Sequence, residues 1–367
     1  MILNNSIQKN NEVLKKWGCK YYLTLGEPVI NTPDKIKKAC IKALLLNKTF
    51  YTDLQGLPHL RSKIKNKTYA KYQIAYSNEE IIITNSSTHA LYIAINAIAK
   101  KDDEIILFSP AYPLYKNILK NKNINPIYFF YLENKISIEN IEKLITNKTK
   151  AIIINSPNNP LGYILNDDDW MVIKTIILKY NIYLIVDACY EEIIFDNQNH
   201  FKALNPIKDK LIMCHSFSKT YQMTGWRLGY ILASNNLIES LRELQKITIA
   251  SCNSFVQYGA LEAFNSNLSF LKQFDLKRRY TFNRLTKMQL NPIMPQGGFY
   301  FFINIKPFNI KSVDFCEQLA QLKKVGLVPG IFFNEDDYVR LTFTVAIDTL
   351  IKALDLLESF INEKRGY

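Results

Sequence analysis

A chain of 367 residues is too long for one small core and suits one large domain with a smaller companion. Its composition, 48% hydrophobic and 13% aromatic, describes a well-filled globular protein and excludes extended disorder. The formal net charge of +13 is carried by lysines spread along the whole sequence, with no dense basic block or aromatic–basic RNA-reading motif. That pattern speaks against a nucleic-acid partner and leaves a general preference for anionic ligands.

The stretch from Met1 to Lys16 is polar, without the apolar core of a signal peptide, and no apolar run approaches membrane-spanning length. The six cysteines (Cys19, Cys40, Cys189, Cys214, Cys252 and Cys316) form no CxxC pair, and several sit in apolar runs as reduced thiols do. The expectation is a soluble cytoplasmic protein with no membrane partner.

In chain order, residues 1–32 read as an arm, mostly polar up to Tyr21-Tyr22-Leu23-Thr24-Leu25-Gly26-Glu27-Pro28. Pro33-Asp34 opens a helix through Leu46, and Pro58 opens another after a loop at 50–57, proline being tolerated where its missing N–H is not needed. From residue 80 short β-branched runs alternate with helical segments. The strands are expected at 81–84, 105–107, 127–131, 151–154, 183–186, 211–214 and 228–232, and the helices near 88–99, 113–120, 138–145 and 167–179. Unalternating apolar runs separated by helices predict a three-layer α/β/α fold with a mostly parallel sheet buried on both faces. A helical region from 254 to 288 leads into a smaller α+β unit: a strand at 299–303, a helix at 312–324, a strand at 338–343 and a last helix from Asp348. The expected domains are 1–45 (arm and part of the small domain), 46–260 (large domain) and 261–367 (small domain).

Ligands of open parallel sheets bind beyond the carboxyl ends of the strands. After the first strand comes Asn85-Ser86-Ser87-Thr88-His89, a hydroxyl-rich helix entry that suits a phosphate or is ordinary capping. After the second comes Tyr112 between Pro110 and Pro113, a ring to stack on a flat ligand or a packed aromatic. After the fourth, Asn155-Ser156-Pro157-Asn158-Asn159-Pro160-Leu161-Gly162 is a double turn that aims an amide or simply reverses the chain. After the fifth, Asp187 ends a buried strand and needs a cation, supplied either by a structural partner or by a protonated ring nitrogen. After the sixth, Ser216-Phe217-Ser218-Lys219 is followed by Gly225-Trp226-Arg227. The hydroxyls and the guanidinium suit a phosphate, and the lysine is placed to form a Schiff base with a carbonyl cofactor.

Five such turns on one sheet edge carry a resemblance. The chain resembles the pyridoxal-phosphate-dependent class I/II aminotransferases of fold type I, from about Gly26 to the C-terminal helix. The match rests on Asn155-x-Pro-x-Asn159-Pro-x-Gly162, Asp187-x-x-Tyr190, Ser216-x-Ser-Lys219 with Arg227, and Arg340-Leu-x-Phe343. Tyr51-x4-Gly56-x3-Leu60-Arg61 and Gly26-Glu27-Pro28 add to it.

The resemblance implies pyridoxal 5'-phosphate (PLP) as cofactor and exchange of an amino group between an amino acid and a 2-oxo acid. It implies that Lys219 attaches the cofactor and moves the proton, that Asp187 pairs with the pyridine nitrogen, and that Asn159 and Tyr190 bond its phenolic oxygen. Tyr112 would stack on the ring, while Ser86, Ser87, Thr88, Ser216, Ser218 and Arg227 would form the phosphate cup. Tyr51 would reach the phosphate of a second subunit in a homodimer. Arg340, Asn159 and the Gly26 backbone would hold the substrate carboxylate.

The chain departs from the family pattern at Leu161, where a hydroxyl is usual, at Ser87, where glycine is common, and in the loop 329–334, which has a single glycine. His89 and His215 flank cup residues and are read as packing. Two other classes stay open: a lyase, cyclase or oxygen-using enzyme of the same superfamily, similar to capreomycidine synthases, and a non-catalytic binder on the same fold.

Overall fold

The computed structural model describes residues 7–195 and 201–366, so the first six residues of the expected arm lie outside it. Its described strands are β1 (Tyr21–Tyr22), β2 (Ile81–Thr84), β3 (Glu104–Ser109), β4 (Asn125–Phe130), β5 (Thr149–Asn155), β6 (Tyr183–Asp187), β7 (Leu211–Ser216), β8 (Gly229–Ala233), β9 (Tyr300–Asn304), β10 (Val325–Gly326), β11 (Val328–Pro329) and β12 (Tyr338–Thr342).

Seven of them form the central sheet in the order β2–β8–β7–β6–β5–β3–β4. Only β8 runs against its neighbours; β4, β3, β5, β6 and β7 are parallel in sequence across the sheet. Period-two alternation explains why each strand reads as a continuous apolar run. In β5, Ile152 and Ile154 face a core shared with Leu60, Ile64, Trp170, Ile173 and Val256, while Ala151 and Ile153 face one shared with Leu91, Ile93, Leu119 and Leu241. Both faces are therefore covered by helices, and each fully buried isoleucine contributes about 1.5–3 kcal/mol. The helix Asp167–Tyr180 starts cleanly because Asn166 and Asp169 form a reciprocal capping box.

A second core gathers Phe274, Leu285, Phe299, Phe301, Phe315, Leu319, Leu341, Leu354 and Phe360 from the helices Phe270–Lys287, Ser312–Lys323 and Ile347–Arg365 and the antiparallel sheet β11–β12–β9. Within the 1–45 stretch, Val13 and Leu23 enter this core, whereas Ile36 enters the core under the main sheet.

Several expectations need correcting. The arm contains a helix, Ile7–Lys16, whose Asn10, Val13 and Leu14 point inward at helical spacing. The helix near 138–145 stops at Glu142. The helical region 254–288 is broken into Ser254–Leu261, the short turn Ala263–Asn265 and Phe270–Lys287; the polar run Asn265-Ser266-Asn267 offers no apolar face to continue on. The helix Asn235–Thr248 has no counterpart in the sequence reading, because only Leu237, Ile238, Leu241 and Gln245 are buried and the rest is polar. No helix among the described residues is long and apolar enough to cross a membrane.

Candidate active site

The strand ends of the sheet open onto a cavity of about 590 Å³ that also takes residues from the second core. Lys219, Asp187, Tyr190, Asn159, Tyr112, Ser86, Ser87, Thr88, Ser216, Ser218, Arg227, Arg340 and Gly26 all line it. Of the residues given a cofactor or substrate role from the sequence, Tyr51 lies elsewhere, 93% exposed on the surface. His89 and His215 are outside the lining as well.

At the phosphate end, Ser86 begins the helix Ser86–Ile98 with φ at 82°, a left-handed conformation that costs a non-glycine residue about 1–3 kcal/mol. The turn can lie flat on the sheet because Gly229 opposes it: a Cβ there would come within 2.7 Å of the Ser86 carbonyl carbon and the Ser87 nitrogen. The first-turn N–H groups of this helix, the Ser86, Ser87 and Thr88 hydroxyls, Ser216, Ser218 and Arg227 make a cup of donors with a net positive field. The Ser218 N–H donates to Ser216 Oγ (3.1 Å), which fixes that side of the cup.

At the centre, Asp187 is 3% exposed. Tyr115 Oη donates to its Oδ2 (2.6 Å) and the Cys189 N–H to its Oδ1 (3.2 Å). Burial pushes its carboxyl above the ordinary range while these two hydrogen bonds pull the other way. Across the ladder, Asn155 pairs with Asp187 in register; its Nδ2 donates to the Asp187 carbonyl (2.9 Å) and its Oδ1 accepts from the Asn159 N–H (2.7 Å). That clamp locks the Asn158–Asn159 turn against the strand. Tyr190 Oη lies 3.0 Å from Tyr300 Oη, and Ser87 Oγ lies 2.9 Å from Cys189 Sγ.

Lys219 Nζ donates to the Gly26 carbonyl. Its amine is held below the usual lysine value, first by burial and then by Arg227 and Arg340, with Cys189 and Glu27 opposing.

Arg340, on β12, is 1% exposed. Its Nη1 donates to Asn159 Oδ1 (2.9 Å) and its Nη2 to the Thr24 carbonyl (2.8 Å), leaving Nε with no partner. The guanidinium lies 4.3 Å from the ring centre of Tyr300 and 5.1 Å from that of Phe333. Neither Asp187 nor Arg340 belongs to an ion pair among the described residues. A buried carboxylate without a cation and a buried guanidinium without a carboxylate are both costly unless a ligand supplies the opposite charge. The donor set therefore fits PLP: a carboxylate for a ring nitrogen, an anion cup, an uncharged-prone amine, and a free guanidinium for a substrate carboxylate.

Tyr115, Asn155, Cys189 and Tyr300 belong to the site and were given no role in it from the sequence. Tyr115 follows Tyr112 at helical spacing and Asn155 ends the strand beside Asp187, so both had a positional signal. Tyr300 had none, since its contact with Tyr190 spans 110 residues. The departures have physical reasons. Leu161 is buried in an apolar cluster with Phe302, Val328, Phe332 and Phe333. In the loop 329–334, a Cβ on Gly330 would come within 2.2 Å of two carbonyl oxygens, so that single glycine is where close backbone approach demands it. His89 packs at the helix edge, its Nε2 2.8 Å from Thr248 Oγ1, with burial lowering its pKa to about 4.

His215, just before Ser216, stacks on Tyr230 (4.5 Å, 6° between planes) and places Nδ1 3.2 Å from Glu191 Oε1. Glu191, just after Tyr190, also takes Lys67 Nζ (3.0 Å) and the Tyr72 hydroxyl, and Lys67 bridges on to Glu192 (2.7 Å). This buried network joins the helix Pro58–Tyr72 to the two segments that carry Tyr190 and Ser216.

Comparison with known proteins agrees with this geometry. The family model described as aminotransferase class I and II matches residues 19–357. An aspartate aminotransferase of Thermotoga maritima is 32% identical, over 97% of this chain and 95% of the relative. An aromatic-amino-acid aminotransferase of Thermococcus litoralis is 29% identical, over 94% and 92%. Among solved structures, the Thermotoga maritima aspartate aminotransferase superposes with a TM-score of 0.90 at 33% identity, covering 97% of this chain and 95% of that one. An aromatic aminotransferase from Pyrococcus horikoshii does so with 0.90 at 28%, covering 98% and 100%. The chain belongs to the class I and II aminotransferases, PLP-dependent enzymes of fold type I.

Proposed function

We propose that the chain transfers an amino group between an L-amino acid and a 2-oxo acid in two half-reactions, with Lys219 as the residue that holds PLP and moves the substrate proton. The observation that carries this reading is the convergence in one cavity of a depressed lysine with two buried, oppositely charged and unpaired groups, Asp187 and Arg340.

When bound, PLP supplies an aldehyde carbon and an electron-accepting ring. Asp187, oriented by Tyr115 and Cys189, would pair with the ring nitrogen and keep it protonated. Asn159 and Tyr190 would bond the ring oxygen, Tyr112 would stack on the ring, and the cup from Ser86 to Thr88 with Ser216, Ser218 and Arg227 would anchor the phosphate. Arg340, its plane fixed by Tyr300 and Phe333, grips the α-carboxylate together with Asn159. Lys219, its amine held below the usual lysine value chiefly by burial, would serve as the base that takes the Cα proton and gives it back, a role that general acid–base catalysis rewards by about 10²–10⁴-fold.

Exposed Tyr51 suits a contact with a second copy's phosphate site, and we infer a homodimer with shared sites. Residues 46–260 and 261–367 then act as large and small domains, and the enzyme works in the cytoplasm. Mixing PLP-loaded protein with an amino acid tests the reading. One equivalent of 2-oxo acid with loss of the aldehyde-form absorbance is expected. Consumption of the amino acid beyond one equivalent with return of that absorbance, with ammonia released or a cyclised product formed, indicates elimination or cyclisation and overturns transamination.

A further inference from the structure

We propose that Tyr300 is a positioning residue whose hydroxyl turns the Tyr190 hydroxyl toward the ring oxygen of PLP. The inference rests on the role given above to Tyr190 and deepens it. Tyr300 opens β9, and Arg340 of β12 pairs in register with Phe302, so Tyr300 and Arg340 are diagonal neighbours on one face. The Arg340 guanidinium accordingly lies 4.3 Å from the Tyr300 ring centre. At the far end of the same side chain, Oη lies 3.0 Å from Tyr190 Oη. The two rings meet edge-on at 82°, and both residues are buried.

Each hydroxyl carries one proton and accepts at its oxygen. Left to themselves, the two can share a bond in either direction. A ring oxygen that takes the Tyr190 proton removes that freedom, because Tyr190 then becomes the acceptor and Tyr300 the donor. The chain keeps room for this arrangement. Gly26 does not sit in the left-handed region, so its backbone makes no demand for glycine. A Cβ there would nevertheless come within 2.6 Å of Tyr300 Oη, whereas the Cζ behind that oxygen is 3.8 Å away. Glycine at 26 therefore makes space for one oxygen atom, the hydroxyl that faces Tyr190.

Two measurements test this, and both use Tyr300→Phe, which removes that oxygen and keeps the ring beside Arg340. In PLP-loaded protein, the pH at which the cofactor changes absorbance is read for wild type, Tyr190→Phe and Tyr300→Phe. A hydroxyl donated to the ring oxygen favours its ionised form, so losing or misdirecting it moves the transition to higher pH. A rise of about one pH unit is expected for Tyr190→Phe, the scale of a lost hydrogen bond to a charged acceptor. Roughly half of that is expected for Tyr300→Phe, which keeps Tyr190 but frees it to turn. A transition that moves in Tyr190→Phe and stays put in Tyr300→Phe overturns the proposal. One that moves in neither removes Tyr190 from the ring oxygen and takes the proposal with it. In cofactor-free protein, Gly26→Ala should lower the denaturation midpoint of the wild type and leave that of Tyr300→Phe nearly unchanged. Equal losses in the two backgrounds would place the Tyr300 hydroxyl elsewhere and overturn the proposal whatever reaction the enzyme performs.

Discussion

Asp187 and Glu191 are buried carboxylates four residues apart on one segment, and the protein treats them in opposite ways. Glu191 is compensated: although burial alone would raise its pKa, Lys67, His215 and Lys71 hold it well below the usual value. Among the described residues Asp187 receives the Tyr115 hydroxyl, the Cys189 N–H and thiol and a weaker pull from His215 but no ion pair, and burial still leaves its pKa raised. A buried charge that the chain pairs is part of the fold. A buried charge that the chain leaves open is part of a site, because only a ligand completes it. Arg340 is the cationic counterpart of Asp187, solvated by an amide and a carbonyl but by no carboxylate.

The contrast can be broken by mutation. In the cofactor-free protein, Glu191→Gln should cost about 3 kcal/mol, the low end of the ~3–5 expected when one member of a buried pair is removed, because Glu192 still pairs with Lys67. Chemical denaturation measures it, and a loss below about 1 kcal/mol would show that the network is not structural. Arg340→Ala should raise KM for amino acids by an amount worth about 2–5 kcal/mol. An unchanged KM removes Arg340 from the substrate site.

Asp187→Asn, at the same depth as Glu191, should leave cofactor-free stability within about 1 kcal/mol of wild type or above it, since an uncompensated charge disappears. PLP affinity should fall. Equal destabilisation by the two carboxylate substitutions would erase the comparison.

The smallest effect is a difference in pH dependence. Glu191 has a depressed folded pKa, so its stabilisation is complete above its ordinary value of 4.5 and is lost as pH falls through the folded value. Asp187 has a raised folded pKa, so it favours the fold below its ordinary 3.8 and loses that contribution as pH rises through the folded value. The stability gap between wild type and Glu191→Gln should therefore shrink below pH 4.5, while Asp187→Asn should gain on wild type above pH 3.8. Denaturation curves across that range separate the two.

Much of the central sheet was legible because both faces of each strand are covered, which writes it as an unbroken β-branched run such as Ala151-Ile152-Ile153-Ile154. The cofactor end was legible for a related reason: parallel strands deliver their following turns to one edge, so Ser86, Tyr112, Asn159, Asp187 and Lys219 could be read as a set. The helix Asn235–Thr248 was not, because its buried stripe is narrow and its other faces are polar. Contacts made across the chain were also invisible. Lys67 meets Glu191 over 124 residues, Arg340 meets Thr24 over 316, and Tyr190 meets Tyr300 only once the second core has packed. The apolar cluster around Leu161 was hidden for the same reason, since Ile7, Leu161 and Phe333 come together only in the fold.

The most direct test is covalent. PLP bound to the wild-type protein is reduced with borohydride, and the modified peptide is identified. The cofactor is expected on Lys219 alone, with no trapped cofactor in Lys219→Ala. Stoichiometric attachment at another of the chain's lysines, or none at all, would contradict the account of this cavity as the active site.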